Sequence, residues 1–192
     1  GMTTGNSEKY IKMWQEIDWS KFKIKWFPVN VGGTPVRWYG NMWMVINWLD
    51  DGAEVKSNLG CTMANMELQQ HEGITWGKIA STTGVLKVRY SEDAFFTASG
   101  LMAFPKDDEL YYVMGLMNSV VSNHYLLYFR SGLDILSGDI ANIPVIIPND
   151  TSSVDTLVRE NIQISRTDWD SFETSWDFRI HPLIPLHWRG GT

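Results

Sequence analysis

Residues 107–148, DDELYYVMGLMNSVVSNHYLLYFRSGLDILSGDIANIPVIIP, decide how the rest of the chain is read. Leu110, Val113, Met114, Met117, Val120, Val121, Tyr125 and Tyr128 recur at three- and four-residue spacing, which predicts one long helix with an apolar stripe. Asp107 or Asp108 is placed to cap it, since an aspartate oxygen accepts from first-turn amides and complements the helix dipole. The pattern breaks at Ser131-Gly132. From Leu136 a short polar turn leads into an extended apolar run closed by Pro144 and Pro148, so the order is helix, turn, strand, proline stop.

Working outward, Ala94 to Phe104 (AFFTASGLMAF) reads as a buried strand interrupted at Ser99-Gly100. Glu72 to Ile79 and Val85 to Tyr90 read as two more strands. Ser7 to Ile17 carries Tyr10, Met13, Trp14 and Ile17 on one face, a first helix capped by Asn6 or Ser7. Lys21, Lys23 and Lys25 alternate with Phe22, Ile24 and Trp26, which predicts a strand with one basic face, ended by Pro28. That face suits either DNA or an edge strand defended by lysines. Trp43 to Trp48 is a further apolar run, Asp50-Asp51-Gly52 turns the chain, and residues 52–66 read as a loop of weak pattern. After Pro148, Ser152 to Ile164 is a helix with Ser152 and Asp155 spaced as a capping box. The expected fold is α+β: a twisted mixed, mostly antiparallel sheet with one long packed helix and a helical C-terminal extension. Residues 1–150 form the main domain and residues 151–192 the extension.

A chain of 192 residues suits one well-filled domain. Hydrophobic residues at 44% and charged residues at 20% describe a globular protein, and no apolar run approaches the ~18 residues of a membrane span. The polar, helix-like start is unlike a signal peptide. Cys61 is alone, which excludes a disulfide framework and makes a cytoplasmic setting the expectation. The net charge of −6 is unevenly spread. Residues 1–90 hold ten Lys/Arg and eight Asp/Glu, a balance of +2, whereas residues 91–192 hold six and fourteen, a balance of −8. Any DNA face would therefore lie mainly in the first half, and the acidic-aromatic stretch Trp169 to Phe178 is expected to turn away from it and to pack on another part of the protein. Ten Trp residues serve as core ballast or as stacking platforms, and composition does not choose between these.

Two segments carry the side-chain chemistry that suits nucleic acid. After the turn Gly32-Gly33-Thr34-Pro35 come Arg37, Trp38, Tyr39 and Asn41. Arg and Asn are suited to bidentate bonds with guanine and adenine edges, and aromatics stack or fill a groove; the competing reading is a hairpin shoulder in which Arg37 packs on Trp38. The second segment holds Thr75 and Lys78, the small polar link Ala80 to Gly84 with Ser81, Thr82 and Thr83, and then Lys87 and Arg89. Two cations one residue apart on a strand, joined to a third by hydroxyls and free amides, fit phosphate oxygens. A plain exposed hairpin is the alternative. His71, His124, His181 and His187 are scattered without ligand spacing, so neither a metal site nor a catalytic residue is expected.

Several stretches share the order of a known family. GLMNSVVSNHYL (115–126) followed by LSGDIANIPVIIP (136–148) resembles the distal half of a DNA target-recognition domain of type I restriction specificity subunits. Taken with GMTTGN (1–6), GGTPVRWYGN (32–41), EGITWGKI (72–79) and ISRTDWDSFETSWDF (164–178), the chain resembles the target-recognition region of BREX-type (phage-exclusion), or type IIL-like, adenine-specific DNA methyltransferases. The resemblance implies a non-catalytic part that recognises a sequence in double-stranded DNA for an N6-adenine methyltransferase of a restriction-modification or phage-defence system. Its other partner would be the catalytic domain of the same parent chain, which would hold S-adenosylmethionine; no cofactor is expected here. The Asp/Asn-Pro-Pro-Phe/Tyr motif and glycine-rich donor loop of such catalytic domains are absent from these residues. A carbohydrate-binding module using surface Trp, and a protein–protein docking domain, are the alternatives.

Overall fold

The computed structural model describes residues 1–79, 85–106, 108–130, 132 and 134–184. In chain order the elements are β1 (Thr3–Thr4), α1 (Ser7–Tyr10), β2 (Ile11–Met13), β3 (Trp26–Asn30), β4 (Met44–Asn47), α2 (Leu49–Lys56), β5 (Cys61–Thr62), β6 (Gly73–Gly77), β7 (Arg89–Ser91), β8 (Phe95–Phe96), β9 (Gly100–Ala103), α3 (Leu110–Asn118), α4 (Val120–Phe129), α5 (Ser137–Ala141) and α6 (Ser152–Trp169). The class is α+β, as expected, but the strands divide among sheets of order β1-β5, β2-β4-β3-β8 and β7-β6-β9. Every pairing within these sheets is antiparallel except β3 with β8.

Two hydrophobic cores follow from this division. Met2, Tyr10, Ile11, Val29, Ile46, Trp48, Val55 and Phe95 fill the one under the four-stranded sheet. The other joins Ile74, Trp76, Leu86, Val88 and Tyr90 to Leu110, Met114, Met117, Leu126, Val158 and Ile162 from the helices. The interruption expected at Ser99-Gly100 is present and has a structural purpose: β8 and β9, on either side of it, belong to different sheets, so this short stretch ties the sheets together. Gly115 lets α3 and α6 approach closely, because a Cβ there would lie 3.0 Å from Val158 Cγ2. Helix α6 is thus part of the second core rather than an appendage to it.

Local signals were read well where local chemistry decides. Asn6 caps α1, its Oδ1 accepting from Lys9 N at 3.0 Å, and Asp50, Asp51 and Gly52 all take left-handed backbone angles in the expected turn. Other expectations are corrected. The first helix stops at Tyr10, where the chain enters β2 to pair with β4. The lysine alternation of residues 21–25 forms no strand; Lys23 has φ of 56° and pairs with Asp93 at 3.4 Å, and β3 begins only at Trp26. Pro28 lies within β3, at a position preceding the pairing with β8, where its missing N–H costs no ladder bond. The run from Pro144 to Pro148 joins no sheet. Helix α6 starts from Thr151, whose Oγ1 lies 2.6 Å from Asp155 Oδ2, and it runs on to Trp169 instead of stopping at Ile164.

The largest correction concerns the long helix. Its first turn begins after Glu109, which makes no side-chain cap; Asp108 precedes that position, and Asp107 lies outside the described residues. The helix then breaks at Ser119, whose extended backbone (φ −77°, ψ 164°) ends α3 and whose Oγ caps α4 by accepting from Ser122 N at 3.3 Å. The break has a use. In one continuous helix Asn118 and Asn123 would point about 140° apart. Here both amides reach the segment before β7: Asn118 Oδ1 accepts from Val88 N and its Nδ2 donates to Val88 O, both at 3.0 Å, while Asn123 Oδ1 accepts from Leu86 N at 2.6 Å and its Nδ2 donates to Leu86 O at 3.4 Å. The two side chains do for residues 86 and 88 what a neighbouring strand would do. Residues 85–88, expected as strand, are therefore held by helices, and the strand proper is confined to Arg89–Ser91.

Replacing Asn118 by Leu strands the buried Val88 N–H, and an unsatisfied buried donor costs about 1–3 kcal/mol. Urea unfolding of the 192-residue chain is expected to show a loss of that size for Asn118→Leu; an unchanged midpoint would mean that the clamp is dispensable.

Candidate nucleic-acid interface

The expected site residues divide into those the fold presents and those it buries. Arg37 is exposed, one residue before Trp38, whose N–H donates to Val88 O at 2.9 Å while its own carbonyl accepts from Tyr90 N at 2.8 Å. These bonds extend the sheet beyond β7 and set the backbone of Arg37 beside the segment bearing Lys87. Both neighbours of Lys87 are buried and clamped, and Lys87 itself, between them, is half-buried. Neither Arg37 nor Lys87 forms an ion pair with a described residue.

A half-open cavity of about 530 Å3 is lined by Gly32, Gly33 and Pro35 of the loop before Arg37 and by Gly77, Lys78, Ile79, Ser99 and Asp134. Lys78 Nζ stands 3.3 Å from Asp134 Oδ2, with both side chains nearly half exposed. Such a pair is weak and exchangeable for a stronger anion. Asp134 is held there because Ile135 N donates to Lys78 O at 2.7 Å and Trp76 Nε1 donates to Ile135 O at 3.1 Å. Ser81, Thr82 and Thr83 lie outside the described residues.

Five expected contacts have other tasks in the structure. Arg89 is 1% exposed. Its Nε and Nη2 have no hydrogen-bond partner, and burial pushes its guanidinium down to about 10. The alternation that placed it on a face with Lys87 assumed one open side, but both faces of this sheet are covered, the second by the segment from Asn30 to Gly33: Asn30 Nδ2 donates to Ser91 Oγ at 2.7 Å, and a Cβ on Gly77 would lie 3.6 Å from Gly32 Cα. Thr75, on that second face, is fully buried and donates to Leu101 O at 2.9 Å. Asn41 donates to Gly32 O at 2.8 Å and so closes its own loop. Tyr39 is half-buried with the Arg166 guanidinium 4.5 Å from its ring centre, and burial pushes its phenol up to about 12. Trp38 is also half-buried, against the second core.

The acidic stretch does not turn away from this segment, as expected from charge alone. A Cβ on Gly40 would lie 3.0 Å from the Trp169 ring, and Asp170 and Asp177 are close enough to add to the upward shift of Tyr39. Arg166 continues the connection, with Nη2 2.8 Å from Glu92 Oε1, and the Tyr90 hydroxyl lies 2.7 Å from Glu72 Oε1 and 2.9 Å from Glu92 Oε2. Burial first, then these carboxylates, hold the Tyr90 phenol in its protonated form. The same stretch packs within this chain: Trp14 Nε1 donates to Thr174 O at 3.0 Å, and Phe22 meets Trp176 at 5.6 Å between ring centres. Trp48 and Trp76 are core residues. The presented surface is thus narrower than the sequence suggested, comprising Gly32 to Arg37, the end of β6 at Lys78, and Lys87. Sequence reasoning missed Asn118 and Asn123, which position it; the available signal was two amides in an otherwise apolar helical stretch.

Among the described residues no helix is long and apolar enough to cross a membrane, and no group of three His, Cys, Asp or Glu side chains converges as a metal site. No family model matches the chain. It is 32% identical over 204 aligned residues to the adenine-specific methyltransferase PglX of Lacticaseibacillus casei (strain Zhang), an alignment covering 96% of this chain and 17% of the relative. It is 33% identical over 192 residues to the adenine-specific methyltransferase BrxX of Escherichia coli O9:H4 (strain HS), covering 95% of this chain and 15% of that one. The chain spans about one sixth of the length of these curated relatives. The likeness first seen in the quoted motifs therefore extends along nearly all of the sequence, and the chain is a relative of one region of the BREX-type adenine-specific methyltransferases PglX and BrxX.

Proposed function

We propose that this chain is the sequence-recognition part of an adenine-specific DNA methyltransferase of a restriction-modification or phage-exclusion system. The observation that carries the reading is the coverage: nearly the whole chain matches a small part of each methyltransferase, so the methyl-transfer machinery has ample room elsewhere in such a chain. In this reading double-stranded DNA lies over the rim of Gly32 to Arg37, Lys78 and Lys87. The two lysines, with Ser81, Thr82 and Thr83, contact phosphates and supply affinity; Arg37 reaches a base edge and supplies choice. Asp134 limits the grip of Lys78 and keeps sequence-independent binding weak. The catalytic part of the parent flips and methylates the chosen adenine and holds S-adenosylmethionine.

Binding of labelled duplexes to the chain at several salt concentrations tests this reading. Affinity is expected to fall steeply with salt, and Lys87→Ala to flatten the slope by ~1. A salt-independent affinity, or none, would contradict it. Arg37→Ala is expected to cost roughly 1–3 kcal/mol at a single base position and to leave the melting temperature unchanged. Arg89→Met should behave in the opposite way. Removing a buried guanidinium whose Nε and Nη2 lack partners is expected to stabilise the fold by about 1–3 kcal/mol and to leave DNA affinity alone, so a lowered melting temperature would return Arg89 to a supporting role. Titration calorimetry with S-adenosylmethionine is expected to give no saturable heat with this chain.

A further inference from the structure

The apolar stripe that singled out residues 107–148 does not all enter the core. Helix α4 carries no charged side chain, and its buried residues are Ser122 and Leu126. Its opposite side presents Val120, Val121, Leu127 and Tyr128 at 84%, 51%, 64% and 73% exposure, with exposed His124 among them. These five fall at i, i+1, i+4, i+7 and i+8, which is a single helical face. On this face the His124 ring meets Tyr128 edge-on at 5.3 Å, and beside it Tyr125 stacks on Phe129 at 6.0 Å. A continuous uncharged face of this kind on a surface helix marks an interaction surface, and without a cation it lacks the charge attraction that dominates affinity for a phosphate backbone.

We propose that the outward face of α4 is the seat of another part of the methyltransferase polypeptide, which docks an apolar surface of its own there. The inference rests on the function proposed above. The relatives supply the occupant's source: more than four fifths of each lies outside the matched region. The inner side of the same helix holds Leu86 through Asn123, next to Lys87. A body seated on α4 is therefore one helix thickness away from the DNA rim, which places catalysis and recognition in fixed register.

The test uses a full-length methyltransferase carrying this segment, alongside the 192-residue chain. With Tyr128 replaced by photo-reactive benzoylphenylalanine, illumination is expected to give an intramolecular cross-link to residues outside the segment. Leu127→Glu is expected to cut methylation at least tenfold in the full-length enzyme, while the melting temperature and DNA affinity of the isolated chain stay as they were. Cross-links only between two copies, or a dimer of the isolated chain that Leu127→Glu dissociates, would assign the face to self-association and overturn the proposal. So would wild-type methylation by Leu127→Glu. Failure of the function itself has a different signature, namely an isolated wild-type chain that shows no affinity for duplex DNA.

Discussion

Two asparagine amides hold this structure in register. Asn118 and Asn123 grasp the backbone of Val88 and Leu86 from a pair of helices, and both can do so only because the helical run breaks at Ser119. The alternative, an unbroken helix, would satisfy one more turn of backbone but would turn one amide away and leave buried peptide groups of residues 86–88 without partners, at a cost of about 1–3 kcal/mol each. Satisfying those groups decides the shape of the break. It also decides the path of the chain into β7, and with it the bridge from Val88 and Tyr90 to Trp38.

From that bridge the presented surface follows. Trp38 is pinned on both sides, Asn41 closes the loop back to Gly32, and Arg166 and Trp169 cover Tyr39 and Gly40, so only the front of the loop, ending at Arg37, is left open. Lys87, between two buried neighbours, stays half-exposed beside it. Arg89 is the unresolved charge in this arrangement, a guanidinium enclosed between sheet and loop with its Nε and Nη2 unpartnered, so the packing around it outweighs the desolvation of one cation.

Much of this was legible in the sequence where local chemistry is decisive. The Asn6 cap, the turn at Asp50 to Gly52 and the interruption at Ser99-Gly100 each depend on a few adjacent residues, and each stands in the structure. What was misread depends on partners distant in sequence. Alternation in residues 85–90 identifies two faces but does not say that the segment from Asn30 to Gly33 covers the polar one, hence the mistaken surface role of Arg89. Apolar spacing in residues 110–128 identifies a helical stripe but not its destination; the part on α3 enters the core and the part on α4 faces outward. The acidic stretch from Trp169 was judged by its charge, whereas its tryptophans determine where it lies, against Gly40 and Phe22.

The functional picture joins a narrow cationic rim, a helix pair that fixes it from behind, and an apolar face on the far side of that helix pair. Such a part would choose the DNA sequence for an enzyme whose chemistry resides elsewhere, and its choice should travel with it. The most direct measurement is a segment exchange: this chain replaces the matching region of BrxX, and methylated adenines are mapped across the genome of the host. Methylation at a new sequence, with the old one no longer modified, is the predicted result. Continued methylation at the original BrxX sequence would contradict a recognition role for this region.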